Sequence, residues 1–329
     1  MYKSKGEKNV SIQCVKDYFI ENKTATKTEI AGATHLSLAT VTNILKELLE
    51  STYIVRIEDE ESTGGRKAKR YQICGQYMLF GLMSLQNSHQ QIKVNVRIVD
   101  LDYTVVYKKT YQWDSLSIEK ILFIIEEMKK NFDFSYLSLS IPAIADQGKV
   151  SKCDIEELEN CQLKDKIESA TNLQVTIEND VNTAMLGYIY SNSINKESIA
   201  FIYQPDNHHS GCSLYVNQAI VYGATHFAGE LGYLPNGTLK EQELLLKEDP
   251  LLLLVKQVAS VISIINPSHM VLYTPCVSES DFKQRIDDYI PQIHQPNFEF
   301  IENMDEFTFM GLNHLCIEKS RYKLKKENE

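Results

Sequence analysis

Between residues 78 and 273, short β-branched runs alternate with amphipathic helical patterns, which restricts the chain to an α/β class. Residues 78–83 are apolar, and 94–99 alternate like a half-buried strand. Asp100-Leu101-Asp102 reads as a turn, followed by a strand from Tyr103 to Tyr111. A helix is expected over Ser117 to Asn131, with strands at 137–141, 175–177, 199–204 and 213–216. A helix from Val255 ends at Asn266-Pro267, before a strand from Met270 to Tyr273. Two lobes around a cleft are the expected result.

The first seventy residues have a different period. Val10, Ile12, Val15, Phe19 and Ile20 follow near-helical spacing up to Asn22. Thr26-Lys27-Thr28-Glu29 forms a capping box for a short helix through Ile30, Ala31 and Ala33. After a turn at Thr34-His35-Leu36, Ser37 can cap a third helix, Leu38 to Glu50, with Val41, Ile44, Leu45, Leu48 and Leu49 inward. A short helix, a tight turn and a longer helix make the helix-turn-helix layout.

The outward face of the third helix carries Ala39, Thr40, Thr42, Asn43 and Lys46. Asn can read adenine through two hydrogen bonds, while Thr and Ala can meet a thymine methyl. A strand at 53–57, a polar tip and a return strand at 71–73 read as a wing. Gly64-Gly65 permits close approach there, and Arg66, Lys67, Lys69 and Arg70 suit phosphates or a minor groove. Double-stranded DNA is therefore the expected partner. The plainer alternative is a three-helix packing module with a solvated basic loop.

Charge agrees with a divided chain. Residues 1–70 carry a net +2, and the remainder carries −12. An acidic body repels nucleic acid, while a basic head can bind it locally. Leu251 to Ile265, the most apolar run, contains Lys256 and Gln257 and is too short to span a bilayer. The polar start MYKSKGEKNV does not resemble a signal peptide, so a cytoplasmic protein is expected. Seven scattered cysteines without a CxxC read as free thiols in a reducing compartment, and no metal or other cofactor is expected. Adjacent His208 and His209 read as a loop.

At 177–182 the chain reads IENDVN, two carboxylates and two amides at a strand-to-helix junction. Asp180 there could be a base, a ligand for hydroxyls, or a helix cap.

These segments resemble the ROK family of bacterial sugar kinases and sugar-responsive repressors. The resemblance covers nearly the whole chain: SLATVTNILKELLE and STGGRKAKRYQI in the head, then IPAIADQGKV, VTIENDVNTAMLGY, VYGATHFAGELGYLP, VASVISIINPSHMVLYTP and FMGLNHLCIEK. IENDVN and HFAGELGY are the most specific. It implies a winged helix-turn-helix at 1–75, then a two-lobed actin/hexokinase-like (ribonuclease H-like) ROK domain at 76–329, with lobes near 76–192 and 193–329. It further implies that Asp180 stands where family kinases place the general base, and that Asn179 and Glu230 stand at sugar-binding positions.

The departures concern the phosphate donor and the metal. Family kinases carry an Asp-x-Gly-Gly-Thr loop after the first strand. Here the stretch is FGLMSLQNSHQQIK, without Asp or a further Gly after Gly81. The second Gly-rich segment is reduced to HHSGCSLYV, and the family's Pro-Gly is Pro142-Ala143. The family's zinc-binding His is replaced by Tyr233, and no Cys follows in GYLPNGTLKEQELLLKEDP. Tyr233 is expected either to stack on a sugar or to fill the volume left by metal and His. Several tens of family residues are missing nearby, and neither Glu241 nor Glu243 can be placed from sequence.

The expectation is thus a non-enzymatic transcriptional regulator, most simply a repressor of carbohydrate-related genes. It would act as a homodimer or homotetramer, with a sugar or sugar-phosphate effector. The competing readings are an ATP-dependent sugar kinase and a regulator whose body docks a protein.

Overall fold

The computed structural model describes residues 5–57, 69–88, 91–192, 194, 198–206 and 208–326. The head comprises α1 (Lys5–Asn22), β1 (Thr24–Thr26), α2 (Lys27–Thr34), α3 (Leu38–Glu50), β2 (Ile54–Ile57) and β3 (Arg70–Ile73). The capping box at the start of α2 is complete: the Thr26 N–H donates to Glu29 Oε2 at 2.7 Å, and the Glu29 N–H to Thr26 Oγ1 at 3.3 Å. His35 (φ 55°) ends α2 in the left-handed region, which turns the chain sharply into α3. Ser37 caps α3 by accepting from the Thr40 N–H. Val41, Ile44, Leu45 and Leu48 are buried, but Leu49, expected beside them, faces solvent, one position round the helix from Leu48. The antiparallel sheet runs β1-β3-β2, with β1 an unforeseen third strand. The wing residues Gly64, Gly65, Arg66 and Lys67 lie outside the described residues.

The first lobe contains β4 (Leu79–Ser88), β5 (Gln91–Asp100), β6 (Val105–Trp113), α4 (Ile118–Lys129), β7 (Tyr136–Ile141), β8 (Ala143–Asp146), β9 (Lys149–Cys153), α5 (Leu163–Thr171), β10 (Gln174–Asn179) and α6 (Asp180–Asn192). Its sheet order is β10-β7-β4-β5-β6, parallel among β10, β7 and β4. Every residue of β7 is buried, as expected for a strand covered on both faces. On α4, Ile121, Ile124, Ile125 and Met128 fill one side of the core with Leu139 and Val175.

The second lobe contains β11 (Ile199–Tyr203), β12 (Gly211–Val216), β13 (Ala219–Ile220), α7 (Leu239–Glu248), α8 (Pro250–Ile265), β14 (His269–Tyr273), α9 (Glu279–Ile286) and β15 (Asn297–Phe300). The order is β13-β12-β11-β14-β15. Helices α8 and α9 cover one face, while Val181, Ala184, Met185 and Tyr188 of α6 pack with Phe201 and Val271 on the other.

The last helix, α10 (Asp305–Lys326), returns to the first lobe. It crosses α6 at backbone contact: a Cβ on Gly187 would lie 1.7 Å from the Phe307 carbonyl oxygen, and one on Gly311 would lie 1.9 Å from that of Thr183. Arg97 on β5 binds Glu306 at 2.9 Å, and the Ser138 hydroxyl lies 3.0 Å from Cys316 Sγ. Phe309 and Leu312 of α10 share an apolar cluster with Phe80, Leu101 and the head residues Val15, Phe19 and Leu48. Lys23 donates to the Leu101 carbonyl at 2.8 Å, so the head is joined to the body by polar as well as apolar contacts. All seven cysteines are free. Among the described residues, no helix is long and apolar enough to cross a membrane.

Candidate functional site

The β10–α6 junction delivers IENDVN to a cavity of about 380 Å³ between the lobes. Asn179 caps α6: its Oδ1 accepts from the Val181 and Asn182 N–H groups at 2.9 and 3.0 Å, and its Nδ2 donates to the Ala143 carbonyl at 3.2 Å. The amide is thereby tied to backbone at both ends. Asp180 lends only its Oδ1 to this cap, accepting from the Val181 N–H at 2.9 Å. Glu178, the preceding acid, is buried and faces away from the main cavity, accepting from Asn179 N–H, Asn182 Nδ2 and the Tyr222 hydroxyl.

Asp180, Glu230 and Asp154 line the cavity together. Burial pushes the Asp180 carboxyl up to about 7; the neighbouring charges of Asp154 and Glu230 push the same way, against the Val181 N–H bond. Asp154 keeps solvent contact through the cavity, but desolvation raises it too, opposed by His208, Lys152 and His209. Glu230 is raised by desolvation and by Asp154, with Lys152 opposing.

Asn179, Asp180 and Glu230 are therefore brought to one cavity, and Tyr233 is not. Tyr233 lies outside the cavity wall and is 47% exposed, so it fills no buried volume. Its hydroxyl accepts from Lys152 Nζ at 2.7 Å, and its ring packs against Phe227. Glu241 and Glu243 are accounted for elsewhere. Glu241 completes the capping box of α7 with Thr238, and Glu243 faces His209 at 3.4 Å.

Lys152, Asp154, Asp305 and the His208-His209 loop also line the cavity, and sequence reasoning did not select them. A signal for the first two was present: in an extended strand, residues two apart share a face, and 152 and 154 follow the Asp146-Gln147-Gly148 turn at that spacing. On the opposite wall, β4 continues to Ser88 and stays in register with β5, pairing Leu85 with Val94 and Gln86 with Lys93. Gln86 Nε2 donates to Asp305 Oδ1 at 2.9 Å, and Asn87 Nδ2 donates to the Asp154 carbonyl at 2.7 Å. Along this extended ladder the backbone N–H groups alternate in direction and do not converge as they do in a phosphate-binding turn.

The head offers a second candidate surface. Ser37, Ala39, Thr42, Asn43 and Lys46 are exposed along the start and outer face of α3, with Thr40 half-buried. The Thr42 hydroxyl donates to the Leu38 carbonyl at 2.6 Å, and the Thr40 hydroxyl lies 2.9 Å from Ser37 Oγ. With both hydroxyls engaged locally, their methyl groups are the groups left for recognition.

Comparison with known proteins fits this architecture. Residues 91–243 match the model of the ROK family. It is 26% identical over 221 residues to a xylose repressor of Staphylococcus xylosus, an alignment covering 64% of this chain and 56% of that protein. The chain spans about half the length of the curated relatives it matches. Its fold resembles that of a ROK family transcriptional regulator homologous to the E. coli MLC protein, with a TM-score of 0.68 at 15% identity, covering 98% of this chain and 99% of that one. It also resembles a ROK hexokinase from Thermus thermophilus, with a TM-score of 0.57 at 15% identity, covering 74% of this chain and all of that one. At such identities the structural likeness speaks for the fold, an α/β body with two actin-like lobes.

Proposed function

We propose that this protein is a DNA-binding transcriptional regulator, a repressor of carbohydrate-related genes, whose ROK body senses a small sugar-like effector without transferring phosphate. The observation carrying this reading is the α2–turn–α3 unit, which is capped at both helices and presents Ala39, Thr42, Asn43 and Lys46 outward. Ser37 and Thr40 shape the start of that helix, while Arg66 and Lys67 would add phosphate contacts from the wing. The relatives described as repressors point the same way.

Asp180, Asn179 and Glu230 would serve as effector ligands, with Tyr233 acting through Lys152. Phosphoryl transfer needs a donor held in line by backbone N–H groups and a metal. The β4–β5 ladder offers poor material for that, so Asp180 would be left as a ligand. Double-stranded DNA is the macromolecular partner. A homodimer or homotetramer would place two heads on half-sites about one helical turn apart or multiples of it.

The test is fluorescence anisotropy of the full chain on fragments from upstream of its own gene, with and without sugars. Selective binding released by one sugar supports the whole reading. No selective binding at low salt removes its central claim. A coupled assay showing ATP-dependent sugar phosphorylation, lost in Asp180→Asn, would replace it with a kinase.

A further inference from the structure

One large apolar side chain of the head has no place in its core. Leu38 opens α3, three residues before Val41 and seven before Leu45, a spacing that would put it on their side of the helix. Yet Val41 is fully buried and Leu45 is 2% exposed, while Leu38 is 49% exposed. Leu36, just before the helix, packs against the core there instead. A lone surface leucine is ordinary. The position of this one is not: it stands in the first turn of the longer helix of the α2–turn–α3 unit, where recognition helices meet base edges.

Its neighbours also offer methyl groups. Ala39 is exposed beside it, and Thr42 lies one turn further along the same side. The Thr42 hydroxyl donates to the Leu38 carbonyl at 2.6 Å, which commits its donor to the helix backbone and leaves its methyl for a partner. Ser37 accepts from the Thr40 N–H, and the two hydroxyls lie 2.9 Å apart. Among the exposed residues of the first two turns, Asn43 is the one that brings amide donors and acceptors to a base edge. The helix contains no arginine, a side chain well suited to reading guanine, and its one lysine, Lys46, lies towards the far end.

We infer that Leu38 is a specificity residue that reads the 5-methyl group of a thymine by apolar contact, with the Thr42 methyl placed to meet a second. This rests on the proposed reading of α3 as the DNA-recognition helix and deepens it. Of the four bases only thymine carries a methyl group in the major groove, so apolar side chains discriminate there by the area that they and the methyl remove from water. A cytosine in its place would turn an amino donor towards the leucine and leave it unpaired. The half-site is therefore expected to hold thymine opposite Leu38 and adenine opposite Asn43.

The experiment begins by enriching binding sequences from a random duplex library with the full chain. Each thymine of one half-site is then replaced in turn by deoxyuridine, which keeps the base pair and the O4 acceptor and lacks the methyl group. Anisotropy titrations follow for wild type and for Leu38→Ala, a change at an exposed position that leaves the core of the head intact. Deoxyuridine at one or two positions should weaken wild-type binding about three- to tenfold, and at one of them the loss should disappear in Leu38→Ala. Losses that persist unchanged in Leu38→Ala at every sensitive position overturn the assignment to Leu38. Deoxyuridine without effect at any position, with selective binding retained, overturns methyl readout while the DNA-binding reading survives. If no sequence is enriched at low salt, the reading of α3 falls, and this inference with it.

Discussion

Lys152 Nζ donates a 2.7 Å hydrogen bond to the Tyr233 hydroxyl, joining β9 of the first lobe to the second lobe beside the cavity. At the turn of the same hairpin, Asp146 lies 3.2 Å from His226. The β8–β9 hairpin is therefore fastened to the second lobe at two points, and the lobes are held together there by polar contacts. Because Lys152 and Tyr233 both face solvent, the pair is worth little individually. A double-mutant cycle with Lys152→Met and Tyr233→Phe should give a coupling of about 0.5–1 kcal/mol in urea unfolding. Strict additivity would mean that the contact does not hold the lobes.

The exposed face of α3 predicts a division of labour in DNA binding. Asn43→Ala should cost about 1–3 kcal/mol on the best operator and relax base preference at one position. Among the described residues Lys46 has Glu50 as its ionic neighbour, at 3.8 Å, and its charge is available to phosphate. Lys46→Ala should weaken binding on all sequences alike and reduce the salt slope by about 0.9. Anisotropy titrations at several salt concentrations separate the two. Uniform loss for Asn43→Ala would remove it from base readout.

Much of this was readable from local patterns. Thr26, Glu29 and Ser37 announced two helix starts, and β-branched runs announced the strands, because caps and alternation are decided within a few residues. Asn179, Asp180 and Glu230, singled out by resemblance, line one cavity. What local reading missed was set by the path of the chain in three dimensions. Asp305 reaches the cavity only because α10 returns from the second lobe, 219 residues from its partner Gln86. Tyr233 was assigned to the cavity, yet a short turn at Leu231–Tyr233 carries it outside, where Lys152 meets it. The cap at α6 also went to Asn179 more than to Asp180, a choice between adjacent residues that composition does not decide.

Two glycines give opposite predictions. Gly187 meets the backbone of α10 so closely that any side chain must push the helices apart. Gly187→Ala should be severely destabilising, costing about 3 kcal/mol or more. Gly32, exposed within α2, has nothing near its missing Cβ. Gly32→Ala should stabilise by about 0.5–1 kcal/mol through helix propensity and unfolded-state entropy. Thermal unfolding followed by circular dichroism checks both. A tolerated Gly187→Ala would contradict the α6–α10 crossing.

The acidic cavity makes stability depend on pH through Asp180. In the unfolded chain this carboxyl ionises near 3.8, and in the folded protein near 7. Between those values the folded state holds a proton that the unfolded state has released, so stability falls as pH rises. The contribution is complete below about 3.8 and is lost as pH passes through 7. Asp154 and Glu230, also raised, act in the same direction over their own ranges. Asp180→Asn keeps an oxygen for the Val181 N–H but cannot ionise, and it relieves the repulsion on Asp154. The melting temperature of the variant relative to wild type should therefore climb from pH 4 to pH 7 and level off above it. Parallel melting curves across that interval would show that Asp180 carries its charge in the folded protein at no cost, and the crowding of carboxylates around the cavity would lose its energetic meaning.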